Sequence, residues 1–401
     1  MVHLHSNVKI LISTSALLSA FMGIAYPYFS EYVYALTGSA FVAGSVAFIR
    51  NVMCVCIFIL GGYLADVVGR KRLIWVGTML LGIAQLLYAA ASSTYELICA
   101  ALFEGVSFFY FPAFNAMIMD STPDEELLNV FTLGLIASHL PYMASPLVGG
   151  ILRDTYGVFG LRLGFALFGL VTLTISAIRL KMLFETLDRV EKVKRGMFIK
   201  AYMEVVEYFR RLRNPIKKLL ALRSFLLLSA IFMLELFAVL YVTRYANLLS
   251  FTEWGLVQAL ASLAFLAALP LSKLISGWRP PLIYAALIVM EASTPLLILT
   301  NLRPMIFLSL ALLNVCGALT YSIERTLIAK LVEPVMRGRA EGFMNISLYV
   351  GAAIGSMLGG YLFSVHPPFL LLAASFSLIL GATLSPMIFK DVKLSQREVY
   401  S

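Results

Sequence analysis

The sequence is poor in charge, in paired cysteines and in polar linkers, and each shortage argues against a class of protein. Only 13% of the 401 residues are charged, whereas a soluble domain carries about 25%, so a soluble globular protein is not expected. The four cysteines, Cys54, Cys56, Cys99 and Cys316, fall inside apolar runs and have neither zinc spacing nor a disulfide framework. No metal site or disulfide is therefore expected, and the cysteines are interpreted as small apolar side chains.

Apolar residues make up 60% of the chain and are grouped in long runs. A helix of about 20 residues crosses a hydrocarbon core of roughly 30 Å. Twelve such runs are present, at residues 10–36, 41–66, 73–92, 95–119, 130–152, 160–183, 222–246, 253–276, 281–300, 303–329, 340–364 and 367–389. The sequence therefore predicts an all-α membrane protein with twelve transmembrane helices, spans one to twelve, and both termini on one side of the lipid bilayer.

The basic residues are concentrated in alternate connections between the spans. One set of connections holds 26 of the 31 lysines and arginines, and the other holds only Arg153, Arg162, Arg244 and Arg303. Because lysine and arginine are enriched on the cytoplasmic side, the first set and both termini are predicted to face the cytoplasm, beneath the cell membrane. The net charge of +9 is explained by this topology, and no nucleic-acid partner is expected.

The chain divides into two similar halves. Residues 1–183 are predicted to form an N-terminal six-helix bundle, 184–221 a cytoplasmic linker, and 222–401 a C-terminal bundle with a short tail. The segment SPLVGGIL in span five is matched 210 residues later by GSMLGGYL in span eleven, and repeated halves are a known transporter plan. Within the linker, apolar residues at helical spacing favour an amphipathic helix on the inner membrane surface over a solvated linker.

The connection between spans two and three, LGGYLADVVGRKRLIW, carries the most specific motif. Its residues Gly62, Leu64, Asp66, Gly69, Arg70 and Lys71 occupy the six fixed places of G-x-L-x-D-x-x-G-R-[KR]. In this position the motif resembles the signature of the major facilitator superfamily. The resemblance implies two pseudo-symmetric six-helix bundles that work by alternating access, and the copy expected in the second half is degenerate.

Each residue of the motif also has a physical interpretation. Gly69 permits a tight turn, Gly62 is expected to let another helix approach closely, and Arg70 can pair with Asp66. The resemblance implies that Asp66 also meets the chain near residues 340 and 341, at the positive end of a helix dipole, and so latches the cytoplasmic side. A static topology anchor is the alternative interpretation.

Spans five and eleven contain small residues in a pattern similar to one found in proton-coupled exporters of that family. The matching residues are Pro146, Gly149, Gly150, Gly355, Gly359 and Gly360. Small residues allow close helix approach, which predicts tight packing and pivoting between the two bundles. Ordinary helix packing is the alternative, and the pattern favours export without establishing it.

Ionisable residues inside the spans are the candidates for solute or proton binding, because such groups are costly in a bilayer. Arg50 and Glu104 lie at similar depth, so they are predicted either to form a structural pair or to act as a proton-dependent switch. Glu235 is on a helix that lines the cavity in the resembling family. Glu291 is expected to face a neighbouring helix. His139 either titrates near neutral pH or bonds a backbone carbonyl.

Polar and aromatic residues on spans four and ten complete the set of candidates. Asn115 shares a helix face with Glu104, and Asn314 shares one with Tyr321. An aromatic cavity with few polar groups suits an amphipathic or apolar solute, although helix packing alone explains such stripes about as well.

The sequence therefore predicts a monomeric secondary transporter for small amphipathic molecules, with proton-coupled export as the favoured mode. A nutrient importer or facilitator on the same fold, and a membrane receptor or assembly protein that moves nothing, remain as alternatives. No phosphate-binding loop and no nucleophile–base arrangement is evident, so no enzyme is expected. No cofactor is expected beyond the coupling ion.

Overall fold

In the computed structural model, residues 5–187, 197–275, 279–332 and 337–390 are described, and every regular element within these ranges is a helix. Twelve of the described helical segments are long and apolar enough to cross a membrane. This confirms the predicted all-α fold with twelve spans. In order they are Ser6–Thr37, Ala40–Ala65, Arg70–Ala90, Thr94–Asp120, Asn129–Tyr156, Val158–Met182, Asn214–Tyr245, Phe251–Ile275, Pro280–Leu299, Arg303–Ile328, Gly342–Val365 and Pro367–Phe389.

Several spans are interrupted or extended helices. Span one comprises helices Ser6–Ala25 and Phe29–Thr37 around a 3₁₀ turn at Tyr26–Tyr28, and span four comprises Thr94–Ser107 and Tyr110–Asp120. Proline at position 27 lacks an amide hydrogen and therefore favours the break in span one. Helices that extend beyond their spans are Ala40–Val67, Leu127–Tyr156, Arg303–Leu331 and Arg337–Val365.

Two other spans contain irregular turns. Span seven has wider π-helical turns at Arg223–Leu228 and Tyr241–Tyr245, and span eight has a 3₁₀ segment at Leu263–Ala267. Single π-helical turns inside α-helices are frequent at functional sites. One of them begins at Arg223, a buried charged residue of the second unit.

The helices form two compact units. Unit 1 consists of Met1–Gly38 and Ile49–Tyr208, and unit 2 consists of Ser39–Phe48 and Phe209–Ser401. In unit 1, span one packs on span five and span three on span six; in unit 2, span seven packs on span eleven and span nine on span twelve. The same pairing therefore recurs six spans later, as expected for a repeated chain.

Each unit has an apolar core cluster to which at least three spans contribute. In unit 1 the cluster includes Leu11, Ile74, Ala113 and Met117, all buried. In unit 2 a smaller cluster joins spans eight, nine and ten through Ile283, Leu287, Cys316 and Leu319. The cysteine acts there as a small apolar side chain, as the sequence predicts.

The predicted amphipathic helix of the linker is present at Met197–Arg211. Ile199, Met203 and Val206 are exposed on it, at the spacing of one helix face. The Tyr202 hydroxyl donates a 2.7 Å hydrogen bond to the Cys56 carbonyl of span two, so the part of this helix that belongs to unit 1 is bound to span two.

Candidate functional site

Three residues from different spans of unit 1 form a buried polar cluster, which we call the Glu104 cluster. Nη1 of Arg50 lies 3.8 Å from Oε1 of Glu104, and the Tyr26 hydroxyl donates a hydrogen bond to the same oxygen. The Glu104 side chain is 2% exposed and that of Arg50 is 17% exposed. Arg50 and Glu104, which the sequence places at similar depth, are thus brought together, and Tyr26 is a partner that sequence reasoning missed.

Packing between spans two and four sets this geometry. A Cβ atom on Gly105 would lie 2.4 Å from Cβ of Met53 and 2.8 Å from the Arg50 carbonyl oxygen, so only glycine allows this approach. Tyr26 begins the 3₁₀ turn of span one, which turns the helix where its hydroxyl reaches Glu104. A close helix contact and a helix break therefore place the three side chains together.

A shell of aromatic and amide groups surrounds the cluster. The Arg50 guanidinium carbon lies 5.5 Å from the ring centroid of Tyr26 and 5.4 Å from that of Phe29, a favourable arrangement for a cation. Nε2 of Gln85 donates a 3.3 Å hydrogen bond to the Tyr26 hydroxyl. The positive charge is thus stabilised by ring faces as well as by the carboxylate.

The two oxygens of the Glu104 carboxylate differ in their contacts. Oε2 of Glu104 is buried and makes no hydrogen bond of normal geometry to the described residues. The Tyr88 hydroxyl is likewise without such a bond, although it lies near enough to Glu104 to share a hydrogen bond with it. Since buried polar atoms are nearly always satisfied, the less regular contacts of Oε2 distinguish it from Oε1, which has two partners.

The signature turn between spans two and three is built largely as predicted. Gly69 has φ 98°, a conformation that strongly favours glycine. The Glu185 carboxylate accepts hydrogen bonds from the backbone amides of Arg70 at 2.9 Å and Lys71 at 3.1 Å. A negative charge at a helix start is favourable, and neither Glu185 nor its role was evident in the sequence.

One expectation about this motif is wrong, and two concern side chains outside the described residues. The Arg70 side chain forms an ion pair with Asp120 of span four, a partner that was not predicted. The side chain of Asp66, and residues 340 and 341 beyond their backbone, lie outside the described part of the chain. A Cβ on Gly62 would meet nothing within 4 Å, whereas one on Gly61 would lie 2.5 Å from the Phe109 carbonyl oxygen, so the predicted close approach occurs one residue earlier.

The candidates of unit 2 are dispersed. Glu235 of span seven is exposed. On span ten, Nδ2 of Asn314 donates to the Leu310 carbonyl at 2.8 Å. The Tyr321 side chain on the same span is 38% exposed, and the guanidinium carbon of Arg325 lies 4.8 Å from the centroid of its ring. Tyr321 is therefore the partner of a cation on its own helix.

The two remaining candidates of unit 1 lie outside the Glu104 cluster. Asn115 is half-buried on the far side of the break in span four. His139 is exposed, and its Nδ1 atom lies 3.0 Å from the Leu135 carbonyl oxygen. This is the backbone contact proposed as the plainer alternative for His139, although the side chain is not buried.

The small residues of spans five and eleven pack mainly within their own units. A Cβ on Gly149 would lie 2.2 Å from the Ile24 carbonyl oxygen of span one, and one on Gly355 would lie 2.3 Å from the Ser229 carbonyl oxygen of span seven. Gly359 likewise meets Phe237. These glycines therefore allow the span one–five and seven–eleven pairs to form.

Three residues of the pattern have other surroundings. The Pro146 carbonyl accepts a 2.7 Å hydrogen bond from the Tyr28 hydroxyl of span one, and Gly150 is buried. A Cβ on Gly360 would lie 2.9 Å from the Ala40 carbonyl oxygen and 3.0 Å from Cα of Gly44. The start of span two is thus packed on span eleven inside unit 2.

Two arginines that were counted with the cytoplasmic connections are buried in helices instead. Arg179 is 1% exposed and donates to the hydroxyls of Thr78 at 2.7 Å, Thr14 at 3.1 Å and Ser15 at 3.3 Å. Arg223 is 5% exposed and pairs with a carboxylate of span ten. Both lie close to the base-rich linker, so no pattern in the sequence distinguishes them from the bases of that linker.

Twelve membrane-length helices in two repeated units, with charged residues paired inside the spans, define a membrane protein of the transporter type. The family model of the Major Facilitator Superfamily matches residues 11–290 and 246–398. The chain therefore belongs to the major facilitator superfamily, a family of transporters.

Individual relatives agree with this assignment. The chain is 22% identical over 321 residues, 80% of each chain, to an uncharacterised MFS-type transporter of Methanocaldococcus jannaschii. It is 30% identical over 120 residues, 28% of each chain, to a Na⁺, Li⁺, K⁺/H⁺ antiporter of Planococcus maritimus. A crystal structure of the nucleoside transporter NupG superposes with a TM-score of 0.77 at 14% identity, covering 96% of this chain and 99% of that one, which shows the shared fold.

Proposed function

We propose that the protein is a proton-coupled secondary transporter of the cell membrane that exports small amphipathic molecules by alternating access. The Glu104 cluster carries this proposal. A carboxylate inside a membrane span is costly and is usually functional when it is not fully paired. Oε1 of Glu104 is held by Arg50 and Tyr26, whereas Oε2 has no hydrogen bond of normal geometry to the described residues.

The chemistry follows from that difference between the two oxygens. A proton added at Oε2 would neutralise Glu104 and weaken its attraction to Arg50, while the hydrogen bond from Tyr26 could remain. Arg50 would then be free to pair elsewhere, which changes the balance between two conformations of the transporter. The local similarity to an antiporter that exchanges alkali cations for protons supports the proton as coupling ion.

The solute class is inferred from the aromatic surface of span four. Ring centroids of Phe111 and Phe114 are 6.3 Å apart, and Phe58 lies 6.2 Å from Phe111. Asn115 is the polar neighbour of these rings on the same helix face. Apolar surface with few polar groups is typical of sites for amphipathic ligands, and the small-residue pattern of spans five and eleven supports export as the direction.

The experiment is solute flux in proteoliposomes with and without an imposed pH gradient, after a thermal-shift screen identifies a solute. We expect flux against the solute gradient in the wild type when a pH gradient is imposed. We expect that Glu104→Gln combined with Glu235→Gln abolishes the effect of the pH gradient but preserves solute exchange. Glu253→Gln is the control, because Glu253 is exposed and pairs with Arg303 at a predicted outer connection.

Each alternative gives a distinct result. Flux that ignores the pH gradient and survives both substitutions would identify a facilitator and refute proton coupling. Solute-dependent stabilisation without any flux would identify a receptor.

A further inference from the structure

A second group of buried charges lies in unit 2 and joins spans seven, nine and ten. Nε of Arg223 lies 3.3 Å from Oε2 of Glu324, and the Tyr284 hydroxyl donates a 2.7 Å hydrogen bond to Oε1 of Glu324. Both oxygens of this carboxylate thus face a donor. Glu324 therefore has the surroundings of an ionised group, and its carboxylate is paired with the positive charge of Arg223.

A second carboxyl group, that of Glu291, is buried nearby without a cation in contact among the described residues. Glu291 is 1% exposed, and its Oε1 atom lies 3.1 Å from Oγ1 of Thr320 on span ten. Glu324 is close enough to repel a negative charge on it. Glu291 thus lacks, in an apolar setting, the cation that Glu324 has, and an uncompensated buried charge is strongly unfavourable.

The hydrogen bonds around Thr320 indicate how this imbalance is resolved. Oγ1 of Thr320 lies 3.0 Å from the Cys316 carbonyl oxygen and 3.1 Å from the Gly317 carbonyl oxygen, in addition to Oε1 of Glu291. All three neighbours are acceptors if Glu291 is ionised, but a hydroxyl group has only one hydrogen to donate. If Thr320 donates to the carbonyl one turn earlier, its oxygen is available to accept a hydrogen bond from a protonated Glu291.

We propose that the carboxyl group of Glu291 carries a proton, which it donates in a hydrogen bond to Oγ1 of Thr320, and that the contact between spans nine and ten is a second proton-binding site. The titratable groups that face it are Glu324 and Cys316 from span ten and Tyr284 from its own span. Span twelve, which packs on span nine, contains no titratable side chain. Among the described residues, none is shown to supply a positive charge to Glu291, since Arg223 is paired with Glu324.

This site goes beyond the proposed function, which assigns the coupling proton to Glu104 and Glu235. The protonation of Glu291 follows from the geometry of unit 2, and only its use during transport rests on the proposed function. Because the Glu324 carboxyl group lies close enough to interact with Glu291, a change in the pairing of Glu324 during transport would alter the negative charge next to Glu291 and with it the retention of the Glu291 proton.

The test is infrared spectroscopy of the purified full-length protein at neutral pH in a buffer with choline as the only added cation. A protonated carboxyl group gives a carbonyl-stretch band that is absent from carboxylates and shifts in heavy water. We expect this band in the wild type and in Glu253→Gln, and we expect Glu291→Gln to lose it. Circular dichroism and gel filtration establish that each variant is folded.

A second pair of variants preserves the test if Glu291→Gln fails to fold. Thr320→Val removes the acceptor, so the band should move to higher frequency, whereas Thr320→Ser retains the hydroxyl and should leave the band in place. A band that neither Glu291→Gln nor Thr320→Val alters would overturn the proposal. So would loss of the band when sodium chloride replaces choline chloride, since sodium would then occupy the site. The measurement requires no flux, so a failure of proton-coupled transport would leave its result intact.

Discussion

Arg50 and Glu104 illustrate how single residues determine the energetics of a membrane-spanning unit. Each is costly alone in an apolar medium, and each lowers the cost of the other. The Tyr26 hydroxyl and the aromatic rings around Arg50 add stabilisation that does not depend on a second charge. The pair therefore persists inside unit 1 although its separation of 3.8 Å is at the upper limit for a direct ion pair.

Removal of one charge from this pair should be worse than removal of both. We expect Arg50→Gln to leave Glu104 buried without a cation and to lower the free energy of unfolding by about 3–5 kcal/mol. The double variant Arg50→Gln with Glu104→Gln should recover most of that loss. Thermal unfolding of the three proteins in detergent measures the effect, and a double variant no more stable than the single one would contradict the pairing.

The sequence was sufficient to find Arg50 and Glu104 but insufficient to find other buried charges. Both stand isolated in apolar runs, so their burial follows from the hydropathy pattern alone. Arg179 and Arg223 are just as buried, but each lies at the end of a span beside many solvated bases, where the pattern does not distinguish them. The partners Tyr26, Asp120 and Glu185 depend on which helix faces meet, and periodicity within one helix does not specify that.

Among the helices, the contact between spans two and four near Arg50 depends on a residue without a side chain. Gly105 follows Glu104 directly and lies against the backbone of span two at Arg50. Any side chain at this position would separate the helices that carry the pair. The role of this glycine in bringing Arg50 to Glu104 is visible only in the packed unit.

Substitution at this contact should be costly even for the smallest side chain. Gly105→Ala places a methyl group 2.4 Å from Cβ of Met53, and overpacking of this kind typically costs about 1–3 kcal/mol. Gly317→Ala is the matched control, because a Cβ there meets nothing within 4 Å and alanine favours a helix by up to about 1 kcal/mol. We expect a lower midpoint of thermal unfolding for Gly105→Ala and an equal or higher one for Gly317→Ala. If the two variants shift alike, the close contact is not the cause.

The helix boundaries could be predicted more fully than the helix interiors. All twelve spans were placed from hydropathy. Pro27 lies at the break in span one, and Pro112 lies in the first turn of the helix that follows the break in span four, so a proline accompanies both breaks. The π-helical turns of span seven have no comparable signal, because no proline or glycine lies within either turn. Local propensity is weak there, and packing against neighbouring helices determines the backbone conformation.

At the scale of the whole chain, the basic residues predict the orientation in the membrane. The bias remains large even though Arg179 and Arg223 are buried, since most of the bases in that set belong to the turns, the linker and the tail. The repeated pairing of spans within each unit agrees with the two similar halves seen in the sequence. Repetition was predictable from the matched segments SPLVGGIL and GSMLGGYL. The grouping of residues 39–48 with unit 2 was not predictable.

Thiol labelling tests the orientation directly. In a variant with its four cysteines replaced, we expect Tyr95→Cys to react with a membrane-impermeant reagent in intact cells, and Arg72→Cys to react only after the membrane is permeabilised. Tyr95 is 82% exposed at the start of span four, and Arg72 is an exposed base of the signature turn. Labelling of Arg72→Cys from outside would reverse the predicted topology.

The carboxylate of Glu185 has a consequence for how motion passes along the chain. It lies just after span six and binds the first amides of the helix that begins at Arg70, while Asn7 bonds the backbone of the preceding Phe184. The end of span six is therefore fastened to both the amino-terminal helix and the signature turn. A rotation of the third span would displace the first residues of the linker with it, so the linker starts from a position that the signature turn controls.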